Sequence, residues 1–226
     1  LPRFYGIQLF GNTNDNRLSK GKNINVSFLG NLREYQDKIV TKYIDYVGTS
    51  GGGLLEIDTG MGKTVMAINI ISKLKKKTLV IVHKSFLMNQ WKERIEQFLP
   101  DARVGRIQAK TIDTEDKDIV ICMLQSLSMK DYPKDMFKEY GLSIYDECHH
   151  LSAEVFSRAF FKVVTKYGLG LSATIKRKDG LTKVLKWFLG DVVCKIERKG
   201  EDNVLVRAIN YETNDEDFNK VETDFR

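Results

Sequence analysis

The sequence has little of what stabilises secreted or membrane proteins. Its 226 residues include only three cysteines, which are widely spaced and form no CxxC pair, so neither a disulfide framework nor a zinc ribbon is indicated. No apolar run approaches the roughly 18 residues of a membrane span. The first residues also lack the basic start and apolar run of a secretory signal. These absences favour an intracellular, reducing compartment, and the first residue, Leu1, suggests a piece of a longer protein.

The charge is distributed unevenly along the chain. The formal net charge is +6, but residues 201–226 hold eight acidic and three basic side chains, which leaves +11 on residues 1–200. A basic body of this kind suits a polyanion such as nucleic acid. A lysine-rich solvated surface would have the same composition, so charge alone does not distinguish a nucleic-acid-binding surface from an ordinary solvated one.

Short apolar runs alternate with amphipathic segments along most of the chain. The strand candidates are GLLEI (53–57), TLVIVH (78–83), DIVICML (118–124), LSIYDE (142–147) and YGLGLSA (167–173). The helical candidates are residues 32–47, Lys63–Lys75, Ser85–Phe98 and Ala153–Thr165. Apolar strands separated by helices predict an α/β fold with a doubly wound, mainly parallel sheet and helices on both faces. Chemistry in such sheets lies at the carboxyl ends of the strands.

A phosphate-binding loop is predicted after the first strand. There the sequence reads DTGMGKT and continues into a helical segment. The full phosphate-loop pattern would place a glycine at Ile57, so the strict pattern fails. Gly60 and Gly62 still let backbone N–H groups turn towards one anion, Lys63 can reach the outer phosphates, and Thr64 can hold Mg²⁺. The alternative is a flexible helix entry with a chance match.

Two acidic residues follow the apolar strand LSIY. At such a strand end Asp146 can hold Mg²⁺ while Glu147 orients and deprotonates the attacking water, because neighbours on a strand point in different directions. The next residues are Cys148, His149 and His150. They offer an alternative interpretation of this segment as a zinc site. Zinc sites commonly take ligand pairs from two segments, and the other cysteines and histidine are scattered single residues.

These segments together resemble the superfamily 2 helicases. DECH resembles their DExH box and DTGMGKT their motif I, while LREYQ resembles the adenine-reading motif. VHKSFLMNQW is similar to motif Ia and ICMLQSL to motif Ib. GLSATIKRKDGL is similar to motif III with the extension of XPB-like translocases and of the transcript-release helicases of large DNA viruses. Six motifs in order, from about Leu32 to Gly190, make the resemblance specific.

The resemblance implies a first RecA-like motor domain that uses ATP and Mg²⁺. Catalysis would depend on Lys63, Asp146 and Glu147, and Mg²⁺ would be held by Thr64 and Asp146. Gln36 is implied to contact the adenine of ATP, and Gly60, Met61, Gly62, Lys63 and Thr64 its phosphates. Arg33 and Thr59 are also implied to bind ATP.

Further residues are implied to couple the nucleotide to nucleic acid. Coupling would involve His149, Ser172 and Thr174, although the two hydroxyls could simply close a turn after a strand. The implied nucleic-acid contacts are Lys84, Gln90, Gln125, Ser126, Arg177 and Lys178. Such contacts reach the phosphate backbone, so binding is expected to be independent of sequence and dependent on salt. DNA is favoured over RNA, and Trp91 is interpreted as a packing residue.

The sequence departs from the family pattern at three of these motifs. Met123 stands where motif Ib often has Thr, Ile175 follows Ser-Ala-Thr where Pro is usual, and His83 precedes Lys84 where Pro is frequent. These departures affect the expected nucleic-acid contacts rather than the nucleotide site.

The expected domain organisation has three parts. Residues 1–30 form a lead-in segment, residues 31–196 the RecA-like domain, and residues 197–226 an acidic segment leading towards a second RecA-like domain. No later helicase motif is found, so we expect the chain to bind ATP weakly and turn over little without arginine fingers from that second domain. The alternatives are a restriction- or remodelling-type translocase on duplex DNA, and a nucleic-acid-binding module with a vestigial ATP site.

Overall fold

The protein is described by a computed structural model that covers residues 1–12, 18–133, 135–148, 153–175 and 182–197. Within these ranges the chain forms an eight-stranded sheet and seven α-helices. The strands are β1 (Gly52–Ile57), β2 (Thr78–Val82), β3 (Val104–Gln108), β4 (Thr111–Asp113), β5 (Ile119–Met123), β6 (Leu142–Tyr145), β7 (Tyr167–Ser172) and β8 (Val192–Ile196). The helices are α1 (Arg3–Phe10), α2 (Glu34–Ser50), α3 (Lys63–Leu74), α4 (Ser85–Phe98), α5 (Leu124–Met129), α6 (Ala153–Lys162) and α7 (Thr182–Leu189).

The sheet is parallel apart from one short edge strand. Its order is β4-β3-β5-β2-β6-β7-β1-β8, and β4 runs antiparallel to β3 while every other neighbouring pair is parallel. Strands β1, β2 and β6 are buried along their whole length, as expected for a parallel sheet covered on both faces. The predicted α/β doubly wound fold is confirmed.

Two hydrophobic cores lie on opposite faces of the sheet. One contains the buried residues of α2, α3 and α4, and the other contains those of α5, α6 and α7. In α4 the buried residues Met88, Trp91 and Ile95 follow helical spacing and therefore form one face. Helices α3 and α4 pack against each other on this face, and α4 also contacts β2 and β5.

All five predicted strands are present, with small differences at their ends. The run at residues 118–124 ends as a strand at Met123, because Leu124 begins α5, and the run at 142–147 ends at Tyr145 before the two acids. Helix α3 ends at Leu74 rather than Lys75, whose φ of 49° is left-handed and closes the helix. Helix α6 ends at Lys162, three residues before the predicted end.

The remaining elements were not predicted from the sequence. They are α1, α5, α7 and the β3–β4 hairpin. Strand β4 has three residues and all are exposed, so it has no hydrophobic pattern to find. The sequence VVCKIERKG, which begins at Val192, and the sequence NVLVRAINY at residues 203–211 also predict strands; the first contains β8, while the second lies outside the described residues.

The lead-in segment contacts the rest of the fold at several places along its described length, including the following two. Helix α1 packs on α7, where the rings of Tyr5 and Trp187 lie 4.7 Å apart, and Asn23 forms an isolated antiparallel bridge with Lys76. The domain boundaries at residues 30 and 196 stay predictions, and residues 198–226 lie outside the described residues. Among the described helices, none is both long and apolar enough to cross a membrane.

Candidate nucleotide and metal site

The loop between β1 and α3 has the shape needed to bind phosphate. Gly60 and Gly62 have φ of 82° and 83°, a left-handed conformation that glycine adopts without steric cost. A Cβ at Gly60 would meet no atom within 4 Å, whereas one at Gly62 would lie 2.4 Å from the side-chain nitrogen of Gln36. The loop is therefore open on the side of Gly60 and closely packed behind Gly62, and α3 begins directly after it with free N–H groups.

Lys63 lies at the centre of this loop. Its side chain is only 9% exposed, and its Nζ donates a hydrogen bond of 3.2 Å to the carbonyl oxygen of Ile57. The same Nζ lies 3.2 Å from Oε1 of Glu147. The phosphate loop and the acidic pair are thus joined directly by one ion pair.

The acidic pair follows β6, which is separated from β1 by β7. Asp146 is buried, and its two carboxylate oxygens accept hydrogen bonds from the indole N–H of Trp91 (2.8 Å) and from the backbone N–H of Glu147 (3.0 Å). Burial raises the pKa of Asp146; the Trp91 hydrogen bond opposes this rise, and the neighbouring Glu147 charge adds to it. Glu147 itself has a left-handed φ of 48°, which is uncommon for a residue other than glycine.

The side chain of Gln36 is packed against the phosphate loop. Its Nε2 donates to the carbonyl oxygen of Met61 (3.0 Å), and its Oε1 accepts from the backbone N–H of Arg33 (2.9 Å). The hydroxyl of Tyr35 donates to the same Met61 oxygen. The predicted adenine-reading residue therefore also links the start of α2 to the loop, while Arg33 is exposed beside it.

The phosphate loop, α4 and the acidic pair surround a cleft of about 580 Å³ at the carboxyl edge of the sheet. It is lined by Thr59, Gly60, Gly62, Lys63, Thr64, Val65, Leu87, Gln90, Trp91, Glu93, Arg94, Asp146 and Glu147. Its polar groups include the carboxylates of Asp146 and Glu147, the hydroxyl of Thr64, the ammonium group of Lys63 and the N-terminus of α3, together with Thr59, Gln90, Glu93 and Arg94. Oxygen ligands of this kind fit Mg²⁺, and the cation and backbone N–H groups fit phosphate.

The hydroxyls expected to couple the site form a turn after β7. Ser172 donates to the carbonyl oxygen of Thr174 (2.7 Å) and accepts from the backbone N–H of the same residue (3.2 Å). Next to this turn, the backbone N–H of Ile175 donates to Oε1 of Glu56 (3.4 Å). His149, the third predicted coupling residue, lies outside the described residues, so the coupling role stays a prediction.

Four of the six predicted nucleic-acid contacts are described: one precedes α4, one lies in α4 and two lie in α5. Lys84 precedes α4 and is exposed, as are Gln90 and Gln125, and the Gln125 amide donates to the carbonyl oxygen of His83 (3.2 Å). Ser126 is buried, and its hydroxyl accepts from the backbone N–H of Ala109 (2.9 Å). Arg177 and Lys178 lie outside the described residues. No part of this prediction is tested by the geometry alone.

Sequence reasoning missed the bond between Trp91 and Asp146. The spacing of Met88, Trp91 and Ile95 indicated burial, and a buried indole N–H normally needs an acceptor. That was the available signal. Cys148, the cysteine of the zinc alternative, is fully buried, and among the described residues no three His, Cys, Asp or Glu side chains are grouped to hold a metal ion.

The sheet order and the arrangement of the helices define a RecA-like fold. Residues 29–177 match the family model described as "Type III restriction enzyme, res subunit". The chain therefore belongs to this family of superfamily 2 helicase domains.

Several viral relatives show the same relationship over most of the chain. It is 34% identical to "Putative ATP-dependent RNA helicase L396" of Acanthamoeba polyphaga mimivirus, over 96% of this chain and 42% of the relative. It is 32% identical to "Putative helicase 109L" of Invertebrate iridescent virus 3, over 87% and 63% of the two chains. With "Putative ATP-dependent RNA helicase QP509L" of African swine fever virus the identity is 32%, over 80% and 36%. The chain thus spans between 36% and 63% of the length of these relatives.

Solved structures share the fold. The SWI2/SNF2 ATPase core of Sulfolobus solfataricus in complex with dsDNA matches with a TM-score of 0.61 and 25% identity, over 76% of this chain and 38% of that one. The UvsW helicase of bacteriophage T4 matches with a TM-score of 0.62 and 19% identity, over 77% and 64%. The second likeness is one of fold alone.

Proposed function

We propose that this chain is the first RecA-like motor domain of an ATP-dependent helicase or translocase that acts on nucleic acid, DNA in preference to RNA. The observation that carries the proposal is the convergence of Lys63, Thr64, Asp146 and Glu147 on one cleft beside an open glycine loop. The family membership and the names of the viral relatives support ATP use.

In this proposal the residues around the cleft divide the work of binding metal, phosphate, water and adenine. Asp146 and Thr64 would hold Mg²⁺, which would neutralise charge on the phosphates. Lys63 leaves the Ile57 carbonyl and Glu147 to meet the outer phosphates, and Glu147, once released, orients and deprotonates the attacking water. Gln36 keeps the loop in place and presents its amide edge to the adenine. Because ATP closes two such domains in helicases of this superfamily, we expect the chain by itself to turn over slowly.

The direct test uses Lys63→Ala and Glu147→Gln in the full-length protein. We expect both to reduce nucleic-acid-stimulated ATPase by at least about 100-fold, while the fold is retained by circular dichroism. Unchanged ATPase in either variant would refute the assignment of this cleft. Failure of the unmodified full-length protein to bind ATP would instead support the vestigial alternative.

The nucleic-acid partner is tested separately. Lys84→Ala should weaken binding of DNA of any sequence by a similar factor and lower the slope of log affinity against log salt by about one. Parallel titrations with RNA decide the preference, because the viral relatives are named as RNA helicases. Equal or stronger stimulation of the ATPase by RNA would contradict the preference for DNA.

A second candidate function is translocation on duplex DNA without strand separation. The likeness to the SWI2/SNF2 core solved with dsDNA favours it, as does the restriction-enzyme family match. Displacement of a triplex-forming strand without displacement of a duplex strand, measured with the full-length protein, would favour this candidate over a helicase.

A further inference from the structure

Trp91 and Asp146 are 55 positions apart in the sequence, and they meet at the centre of the candidate site. Trp91 is 1% exposed and Asp146 is 6% exposed, and the hydrogen bond between them is 2.8 Å long. The indole is held by the buried face of α4, which it shares with Met88 and Ile95. The position of the indole is therefore set by the position of α4 as a whole. It does not depend on a freely rotating surface side chain.

The two hydrogen bonds leave the carboxylate able to bind a cation. One oxygen of Asp146 accepts from Trp91 and the other from the backbone of Glu147. An ionised carboxylate has about four lone-pair sites, so each oxygen keeps a second one. Because an indole N–H can only donate, it orients the carboxylate without competing for the metal.

We propose that Trp91 is a positioning residue for Mg²⁺: its indole N–H fixes the rotamer in which the Asp146 carboxylate faces the phosphate loop. The inference deepens the proposed function, on which it rests, because that function assigns Mg²⁺ to Asp146. It also gives α4 a direct influence on the metal site. The same helix carries Gln90, and Lys84 precedes it, so a shift of α4 on nucleic-acid binding would be transmitted to the carboxylate through one hydrogen bond.

The first test removes the N–H and keeps the shape of the ring. Trp91 is replaced by 3-benzothienylalanine, in which sulfur stands in place of the N–H, and ATP affinity is measured by calorimetry over a series of Mg²⁺ concentrations. Partners that orient a metal ligand commonly contribute 10- to 100-fold to metal affinity. We expect the Mg²⁺ concentration that gives half of the maximal increase in ATP affinity to rise about tenfold or more. The same replacement at Trp187, the other tryptophan of this chain, is the matched control and should leave it unchanged.

The second test reads the hydrogen bond itself and does not depend on a variant that folds poorly. With ¹⁵N-labelled tryptophan the chain gives two indole N–H signals, and Trp91→Phe identifies one of them. We expect the Trp91 signal to shift when Mg²⁺ is added together with ADP, and the Trp187 signal to stay. An unmoved Trp91 signal, at nucleotide concentrations that calorimetry shows to be saturating, overturns the inference.

Asp146→Asn separates the failure of this inference from that of the proposed function. If Asp146→Asn removes the Mg²⁺ dependence but the benzothienylalanine protein behaves as the unmodified one, the inference alone is wrong. If Asp146→Asn keeps the unmodified Mg²⁺ dependence, Asp146 is not the metal ligand, and both the metal assignment and the role of Trp91 are wrong.

Discussion

The ammonium group of Lys63 lies 3.2 Å from the carboxylate of Glu147, so the residue proposed to bind the outer phosphates is paired with the residue proposed to activate water. The pair is largely shielded from solvent, with side-chain exposures of 9% and 22%. In the proposed function, Lys63 would leave this ion pair to meet the outer phosphates, and Glu147 would then be released to act as the base.

Glu147→Gln should separate ATP binding from hydrolysis. A neutral amide cannot deprotonate water, so we expect hydrolysis in the full-length protein to fall at least about 100-fold. Nucleotide affinity should stay the same or rise, because Lys63 no longer has to leave a carboxylate. Filter binding and steady-state ATPase measure the two quantities. Glu96→Gln, on the exposed face of α4, is the control, and a parallel loss of affinity in Glu147→Gln would contradict this account.

Gln36 should be sensitive to a change of one atom. In Gln36→Glu the oxygen that accepts from Arg33 is kept, but the group that donates to Met61 becomes an acceptor facing a carbonyl oxygen. We expect this variant to lose about 1–3 kcal/mol of unfolding free energy and to bind ATP more weakly. Thermal unfolding and calorimetry provide the measurements.

Tyr35→Phe is the matched control for Gln36→Glu, because it removes a second donor to the same Met61 oxygen without adding an acceptor. Its effect should be smaller, about 1 kcal/mol. Equal stability of Gln36→Glu and the unmodified chain would mean that the amide does not hold the loop.

The contiguous parts of the site could be predicted from the sequence, and the parts assembled across the fold could not. The phosphate loop and the acidic pair each depend on a few adjacent residues at a strand end, where apolar runs reveal the strands. The bond from Trp91 to Asp146 depends on how α4 sits above the sheet, and the contact of Gln36 with Met61 depends on where α2 begins. Neither is encoded in local spacing.

The strand order could not be predicted from the sequence for a related reason. Periodicity reveals which segments are strands, but β7 lies between β6 and β1 because of long crossovers whose packing is not local. The edge hairpin of β3 and β4 was missed because its second strand buries nothing. The general α/β class was accessible because buried parallel strands are apolar throughout.

Asp118 should make the stability of the fold depend on acid pH. Its carboxylate accepts from the backbone N–H, Nε and Nη2 of Arg103 at 2.9–3.0 Å, and these hydrogen bonds hold its pKa below the ordinary value. A lowered pKa stabilises the fold above the unfolded value of about 3.9, and that stabilisation is lost as the pH falls through the folded value.

We therefore expect Asp118→Asn to cost about 1 kcal/mol at pH 7, a modest figure because the Arg103 side chain is 61% exposed. The difference in unfolding free energy between this variant and the unmodified chain should shrink only below about pH 4. Urea unfolding at pH 7, 5 and 3.5 measures it. Asp113→Asn, which removes a surface pair with Lys117, is the control and should cost a few tenths of a kcal/mol. A gap independent of pH would contradict the role of Asp118.

The three cysteines should differ in reactivity. Cys122 is buried in β5, and burial raises the pKa of its thiol to about 12, so at pH 8 only about one thiol in 10⁴ is the reactive thiolate. Cys148 is also fully buried, whereas Cys194 in β8 is partly exposed. With a thiol-reactive dye at pH 8 we expect one rapid equivalent, at Cys194, and two more only after unfolding in guanidinium. Cys194→Ser should remove the rapid phase. Rapid reaction of two or three thiols in the folded chain would show that the packing around β5 or beside Asp146 is looser than described.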